Sequence, residues 1–89
     1  MKTIDNSRFE SLLKTVARMT EDNLHSEALD EIALFFDYIE FSTMFGYYSK
    51  KESLRMKDFN TRCEVADRMF IIIGVEYGKE VVERIKKAL

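Results

Sequence analysis

The chain has 89 residues, of which 46% are hydrophobic and 34% charged, a balance typical of one folded, water-soluble domain spanning 1–89. Its only cysteine, Cys63, excludes an internal disulfide framework and a cysteine-cluster zinc site. The polar start of the chain and its longest apolar run, residues 69–73, predict a cytoplasmic protein with no membrane partner.

The net charge of −2 is unevenly distributed along the chain. Residues 1–48 carry four basic and nine acidic side chains, whereas residues 49–89 carry ten basic and seven acidic ones. One explanation of this asymmetry is chance variation between helices. The other is that the two halves of the chain, or two copies of it, attract each other. The acidic total argues against broad non-specific binding to nucleic acid.

The first helix is predicted to begin at the capping box Ser7-x-x-Glu10, where each side chain can satisfy a backbone N–H of the other. One apolar stripe then follows at helical spacing, and it predicts a single buried face. The members of this stripe are Phe9, Leu12, Leu13, Val16 and Met19. Residues 20–25 read as a polar turn, with Asn23 or Ser26 as the cap of the next helix.

Residues 26–45 are predicted to form one central helix that stops at Gly46. Its apolar residues fall on two opposite stripes. The first stripe comprises Ala28, Ile32, Phe35, Phe36 and Ile39, and the second comprises Leu34, Tyr38, Phe41 and Phe45. A surface helix needs one apolar stripe, so the second must be covered either by other helices of the chain or by another chain.

The second half of the chain begins with another capping-box pattern, Ser49-x-x-Glu52, and continues with helical periodicity to Ile73. Asn60 and Thr61 favour a break into helices 50–58 and 61–73 over one continuous helix. A seam of apolar residues, Met56, Phe59, Cys63, Ala66, Phe70 and Ile73, predicts that the Cys63 thiol is buried. The alternative for residues 69–73 is a buried strand.

Gly74 or Gly78 is expected to end this segment. The last helix then carries Val81, Val82, Ile85 and Leu89 on one face, with acidic residues near its start and lysines at its end, as the helix dipole favours. Because Pro is absent and Gly rare, the sequence predicts an all-α fold, a small antiparallel bundle of four or five helices.

No pattern in the sequence predicts an enzyme, a cofactor or a metal site. His25 is the only histidine. The acidic set Asp30, Glu31, Asp37 and Glu40 lacks the Glu-x-x-His pairs of di-iron bundles. Nucleophile–base pairs and phosphate-binding loops are likewise not apparent. We therefore expect no catalytic, cofactor-binding or metal-binding residues.

The aromatic group at the end of the predicted central helix is the best candidate for a functional surface, because aromatic residues are enriched at protein interfaces. The predicted interface comprises Leu34, Tyr38, Phe41, Phe45, Tyr47 and Tyr48. It indicates a non-enzymatic interaction module, a small regulator, adaptor or inhibitor, whose partner is a second copy or another protein.

A nucleic-acid-associated regulator is the alternative hypothesis. It would use the basic stretch 50–68, with Lys50, Lys51, Arg55, Lys57, Arg62 and Arg68. Two short helices on either side of Asn60 would be compatible with a helix-turn-helix reader. Interleaved acidic residues make a solvated helix face the more economical reading of this stretch.

Overall fold

A computed structural model describes the backbone of residues 1–49 and 55–89, and the side chains of residues 1–45 and 63–89. The described residues form five helices: α1 Asn6–Glu21, α2 His25–Phe35, α3 Ile39–Ser49, α4 Arg55–Tyr77 and α5 Lys79–Ala88. Helix α2 packs between α1 and α3, α4 packs between α3 and α5, and α5 returns to α1. The predicted all-α bundle is therefore confirmed.

All five helices contribute side chains to one apolar core. Its largest fully buried members are Phe9, Val16, Ile32, Phe45, Val65, Met69, Ile73 and Ile85. The predicted stripe of α1 is confirmed, since Phe9, Leu12 and Val16 are buried and its other members pack against the core. The predicted face of α5 is confirmed in the same way, with Ile85 at its centre.

Helix α1 begins at Asn6, and its N-cap lies two residues before the predicted cap, Ser7. Its N-cap is Asp5, whose carboxylate accepts a hydrogen bond from the Arg8 backbone N–H at 3.2 Å. The Asp5 carbonyl accepts the first helical bond, from the Phe9 N–H at 2.9 Å. The prediction of Ser7 as the cap was wrong, because an aspartate that caps as well as serine stands earlier in the chain.

The chain turns between α1 and α2 at residues 22–24, the first corner. Asn23 is left-handed, with φ 61°, and its N–H donates to the Thr20 carbonyl, while the Leu24 N–H donates to the Met19 carbonyl. These two bonds form a Schellman motif. Asn23 therefore closes α1 rather than capping α2. Ser26 is not the cap either. The N-cap residue of α2 is Leu24, and no side chain caps this helix with a hydrogen bond.

The predicted single helix over residues 26–45 is wrong, because the chain turns a second corner at residues 36–38. Asp37 has φ 65°. Its N–H donates to the Leu34 carbonyl at 3.1 Å, and the Tyr38 N–H donates to the Ala33 carbonyl at 2.8 Å. The same motif thus ends α2, because a short polar side chain such as Asp tolerates the left-handed conformation.

The second corner changes what the two predicted stripes contact. Ala28, Ile32 and Phe36 are buried as predicted, but Ile39, assigned to the same stripe, is exposed. Phe45, assigned to the opposite stripe, is fully buried. Gly46 lies inside α3, which ends at Ser49, so the prediction that it stops the helix was also wrong.

Helix α4 runs without interruption through Asn60 and Thr61, so the predicted break there is wrong. The strand alternative for residues 69–73 is wrong as well, because these residues belong to α4. Asn and Thr are only mildly unfavourable inside helices, so their presence does not require a break. Glu52 of the second capping-box pattern lies outside the described residues.

The buried face of α4 is rotated relative to the predicted seam. Val65, Ala66, Met69, Phe70 and Ile73 are buried, whereas Cys63 is exposed, so the prediction of a buried thiol was wrong. The side chains of Met56 and Phe59 lie outside the described residues. Helix α4 passes through Gly74 and is closed by Gly78, whose φ of 104° favours glycine.

Candidate interface

The structure separates the four residues of the predicted interface whose side chains it describes. Leu34 is 52% exposed on the outer side of α2. Tyr38 and Phe41 are half-buried and lie against the core, with ring centroids 6.1 Å apart in an edge-to-face arrangement. Phe45 is 0% exposed. A partner that docks on this conformation therefore meets Leu34 but cannot reach Phe45.

Tyr47 and Tyr48 belong to the last turn of α3, and their side chains lie outside the described residues. The second corner explains the separation of the other four residues. It lies between Leu34 on α2 and Phe41 and Phe45 on α3, so these residues do not share one helix face.

Leu34 lies at the edge of an open groove of about 440 Å³ between α1 and α2. The groove is lined by the residues Ser7, Arg8, Ser11, Leu12, Thr15, Glu31, Leu34 and Phe35. Leu12, Leu34 and Phe35 give it an apolar part, while hydroxyl and charged side chains complete the lining. An apolar floor with a few polar groups is typical of surfaces that bind other molecules.

Two charged side chains line the groove, one from each helix. The Arg8 guanidinium of α1 is stacked over the Phe35 ring, 5.5 Å from its centroid. Glu31 lies one turn before Phe35 on α2, and the described residues offer its carboxylate no ion pair. The groove therefore presents one cation and one anion.

Sequence reasoning missed this groove because half of it comes from the polar side of α1. Ser7, Ser11 and Thr15 recur at intervals of four residues, which places them on one face of a helix. That pattern shows only that they share a face. The position of α2 beside that face depends on the first corner, which the sequence pattern did not reveal.

A second polar cluster ties the second corner to the end of α4. The Tyr38 hydroxyl donates to the Glu76 carboxylate at 2.6 Å, and the Lys2 ammonium contacts the same oxygen at 3.1 Å. The Lys2 N–H also donates to the Glu76 backbone carbonyl at 2.6 Å. Three segments that are distant in sequence therefore meet at one residue.

These contacts shift the pKa values of the three groups in the directions expected for them. The hydrogen bond from Tyr38, and then that from Lys2, lowers the pKa of Glu76. Burial, and then the bond to Glu76, raises the pKa of the Tyr38 phenol. The bond to Glu76 raises the pKa of Lys2. The fold thus favours an ionised Glu76 and a neutral Tyr38.

Among the described residues, the other candidate side chains form no metal-binding cluster. His25 is exposed at the start of α2. No group of His, Cys, Asp and Glu side chains that could hold a metal ion occurs within the described part of the chain. Arg68 is exposed on α4, whereas the side chains of the other five basic residues in 50–68 lie outside the described residues.

Among the helices that the structure describes, none is long and apolar enough to cross a membrane. No protein-family model, curated protein or solved structure matches this chain.

Proposed function

We propose that this protein is a non-enzymatic protein–protein interaction module that self-associates through the outer face of α2 around Leu34. The observation that supports this proposal is an exposed leucine beside a groove with an apolar floor. Burying such a side chain against a matching surface stabilises a complex by removing apolar area from water.

The proposed docking face differs from the predicted six-residue interface. It keeps Leu34 from that set and extends onto α1. Leu34 remains its centre, Phe35 and Leu12 form its floor, and Ser11 and Thr15 lie along its α1 side. A standard interface buries about 800 Å² per partner. The total surface of the chain is 6089 Å², so a contact of that size would cover the groove and its surroundings.

A second copy of this chain is the occupant we propose for the groove. The groove carries one cation and one anion, and a surface with equal and opposite charges can be complementary to itself. The alternative occupant is another protein that presents an amphipathic helix. Such a partner would dock in the same groove, and the chain would not self-associate.

Sedimentation equilibrium of the full chain tests this proposal. We expect the wild-type protein to be a dimer at micromolar concentration, and Leu34→Glu to be a monomer with unchanged helicity by circular dichroism. The control is Val75→Glu, at an apolar residue of α4 that is 76% exposed and distant in sequence from the groove. This variant should remain dimeric.

A wild-type monomer would contradict the proposal. A dimer dissociated by Val75→Glu but not by Leu34→Glu would also contradict it and would assign the interface to α4. Retention of the dimer in both variants would show that neither surface carries the contact.

A further inference from the structure

One cation and one anion line the groove, Arg8 on α1 and Glu31 on α2. The Arg8 guanidinium is stacked over the Phe35 ring, and Glu31 lies four residues before Phe35 on the same helix. Four residues correspond to about 6 Å of helix axis at about 1.5 Å per residue. Rotation by 180° about an axis between the two side chains brings each of them opposite the unlike charge of a second copy.

We infer that two copies pair groove to groove about such an axis, so that Arg8 of each copy meets Glu31 of the other and each Leu34 enters the opposite groove. This pairing rests on the homodimer proposed above. An interface with two-fold symmetry is isologous, which means that each contact between unlike residues occurs twice.

Both charged residues are available for this pairing. Arg8 is exposed, and its stacking on Phe35 holds the guanidinium at the groove while leaving N–H donors for a carboxylate. Glu31 is half-buried, and the described residues give it no cationic partner. A cation from a second copy would supply that partner.

Two charge reversals test the inference, because the symmetry predicts how they combine. In Arg8→Glu, both cross-pairs of a homodimer become acidic, and in Glu31→Arg both become basic. When the two variants are mixed, each Glu of one chain faces an Arg of the other. The mixed dimer therefore restores both attractive pairs with their polarity reversed.

We expect each variant alone to dimerise at least about tenfold more weakly than the wild type, because attraction is replaced by repulsion at two sites. An equimolar mixture should form a 1:1 heterodimer with a Kd near that of the wild type, detected by native mass spectrometry. Both substitutions suit their helices: a glutamate in the first turn of α1 favours the dipole, and an arginine at position 31 lies four residues after Glu27.

The control pair is Lys14→Glu with Glu83→Arg, which changes the net charges by the same amounts at exposed residues outside the groove lining. Each control variant should form homodimers like the wild type, with no preference for the mixed dimer. A similar preference in the control pair would attribute the effect to overall charge and overturn the inference.

Failure of the inference can be distinguished from failure of the proposed function. If the wild type is a dimer but the two reversals leave its Kd unchanged, the groove pairing is wrong while self-association stands. If the wild type is a monomer, both are wrong. If Leu34→Glu dissociates the dimer but mixing restores nothing, the face is correct and the two-fold pairing of Arg8 with Glu31 is overturned.

Discussion

The chain turns its first and second corners with the same backbone motif but anchors them differently. At each corner a short polar residue, Asn23 or Asp37, adopts the left-handed conformation, and a bulky side chain, Leu24 or Tyr38, follows it. Leu24 is 42% exposed, whereas Tyr38 packs against the core and bonds to Glu76. The motif ends a helix in both cases, and at the second corner contacts with distant parts of the chain hold the residue that follows it.

This difference separates a local contribution to the fold from a tertiary one. The turn itself is local, because it depends on backbone hydrogen bonds within six residues and on a residue that tolerates positive φ. The anchoring of α3 after the turn is tertiary, because it depends on the contact of Tyr38 with Glu76 of α4, which Lys2 of the N-terminal segment also contacts. Substitutions at the left-handed residue affect the local part, and substitutions of the residue after it affect the tertiary part.

The largest expected effect comes from truncating the side chain that follows each corner. Tyr38→Ala removes ring contacts with Phe36 and Phe41 and the hydrogen bond to Glu76, and we expect a loss of about 2 kcal/mol in unfolding free energy. Leu24→Ala should cost about 0.5 kcal/mol, since that side chain is largely at the surface. Urea denaturation at fixed protein concentration measures both.

Tyr38→Phe serves as the control for this comparison, because it keeps the ring and removes only the hydroxyl. It should lie between the wild type and Tyr38→Ala. Equal losses for Leu24→Ala and Tyr38→Ala would show that the second corner has no special tertiary anchor.

A smaller effect, equal at both corners, is expected from the local part of the motif. Asp37→Val and Asn23→Val each place a β-branched residue at positive φ, which should cost about 1–2 kcal/mol. Asp37→Gly and Asn23→Gly should retain stability within about 0.5 kcal/mol, because glycine adopts this conformation readily. Urea denaturation of the four variants compares the corners directly.

A cost confined to Asp37→Val would contradict the view that the two turns are equivalent. It would mean that the strain at the second corner is enforced by tertiary contacts, while the first corner relaxes around the substitution.

The sequence is sufficient to predict the parts of the fold in which one helix face is apolar and the other polar. Helices α1 and α5 satisfy this condition, so Phe9, Val16 and Ile85 could be placed in the core. The same reasoning failed for residues 26–45 because apolar residues there occur on every side. Helical periodicity continues across Asp37, where the sequence has no Gly or Pro to mark a break.

The candidate site was less predictable than the fold. Leu34 could be singled out because it falls outside the core-facing stripe of its helix. Arg8, Ser11 and Thr15 could not, since on α1 they read as an ordinary solvated face. Their role in the groove depends on how α2 is placed against α1, and this placement depends on the left-handed Asn23.

The smallest expected effect concerns the charge that anchors the second corner. Because the folded protein lowers the pKa of Glu76 below its ordinary value of 4.5, the unfolded chain binds more protons in acid. The stabilisation from Glu76 is therefore present above pH 4.5 and is lost as the pH falls through the lower, folded-state pKa. The Tm of Glu76→Gln should lie below that of the wild type at neutral pH, and the difference should shrink on acidification.

Thermal melts followed by circular dichroism across this pH range measure the difference, and Glu64→Gln is the control, an exposed carboxylate of the same helix. Contributions from all other carboxylates cancel between wild type and variant. Hydrogen exchange then links the effect to the corners: acid should reduce protection of the Tyr38 amide, bonded to Ala33, but not of the Leu24 amide, bonded to Met19. A Tm difference that does not change with pH would show that the ionised form of Glu76 does not anchor the second corner.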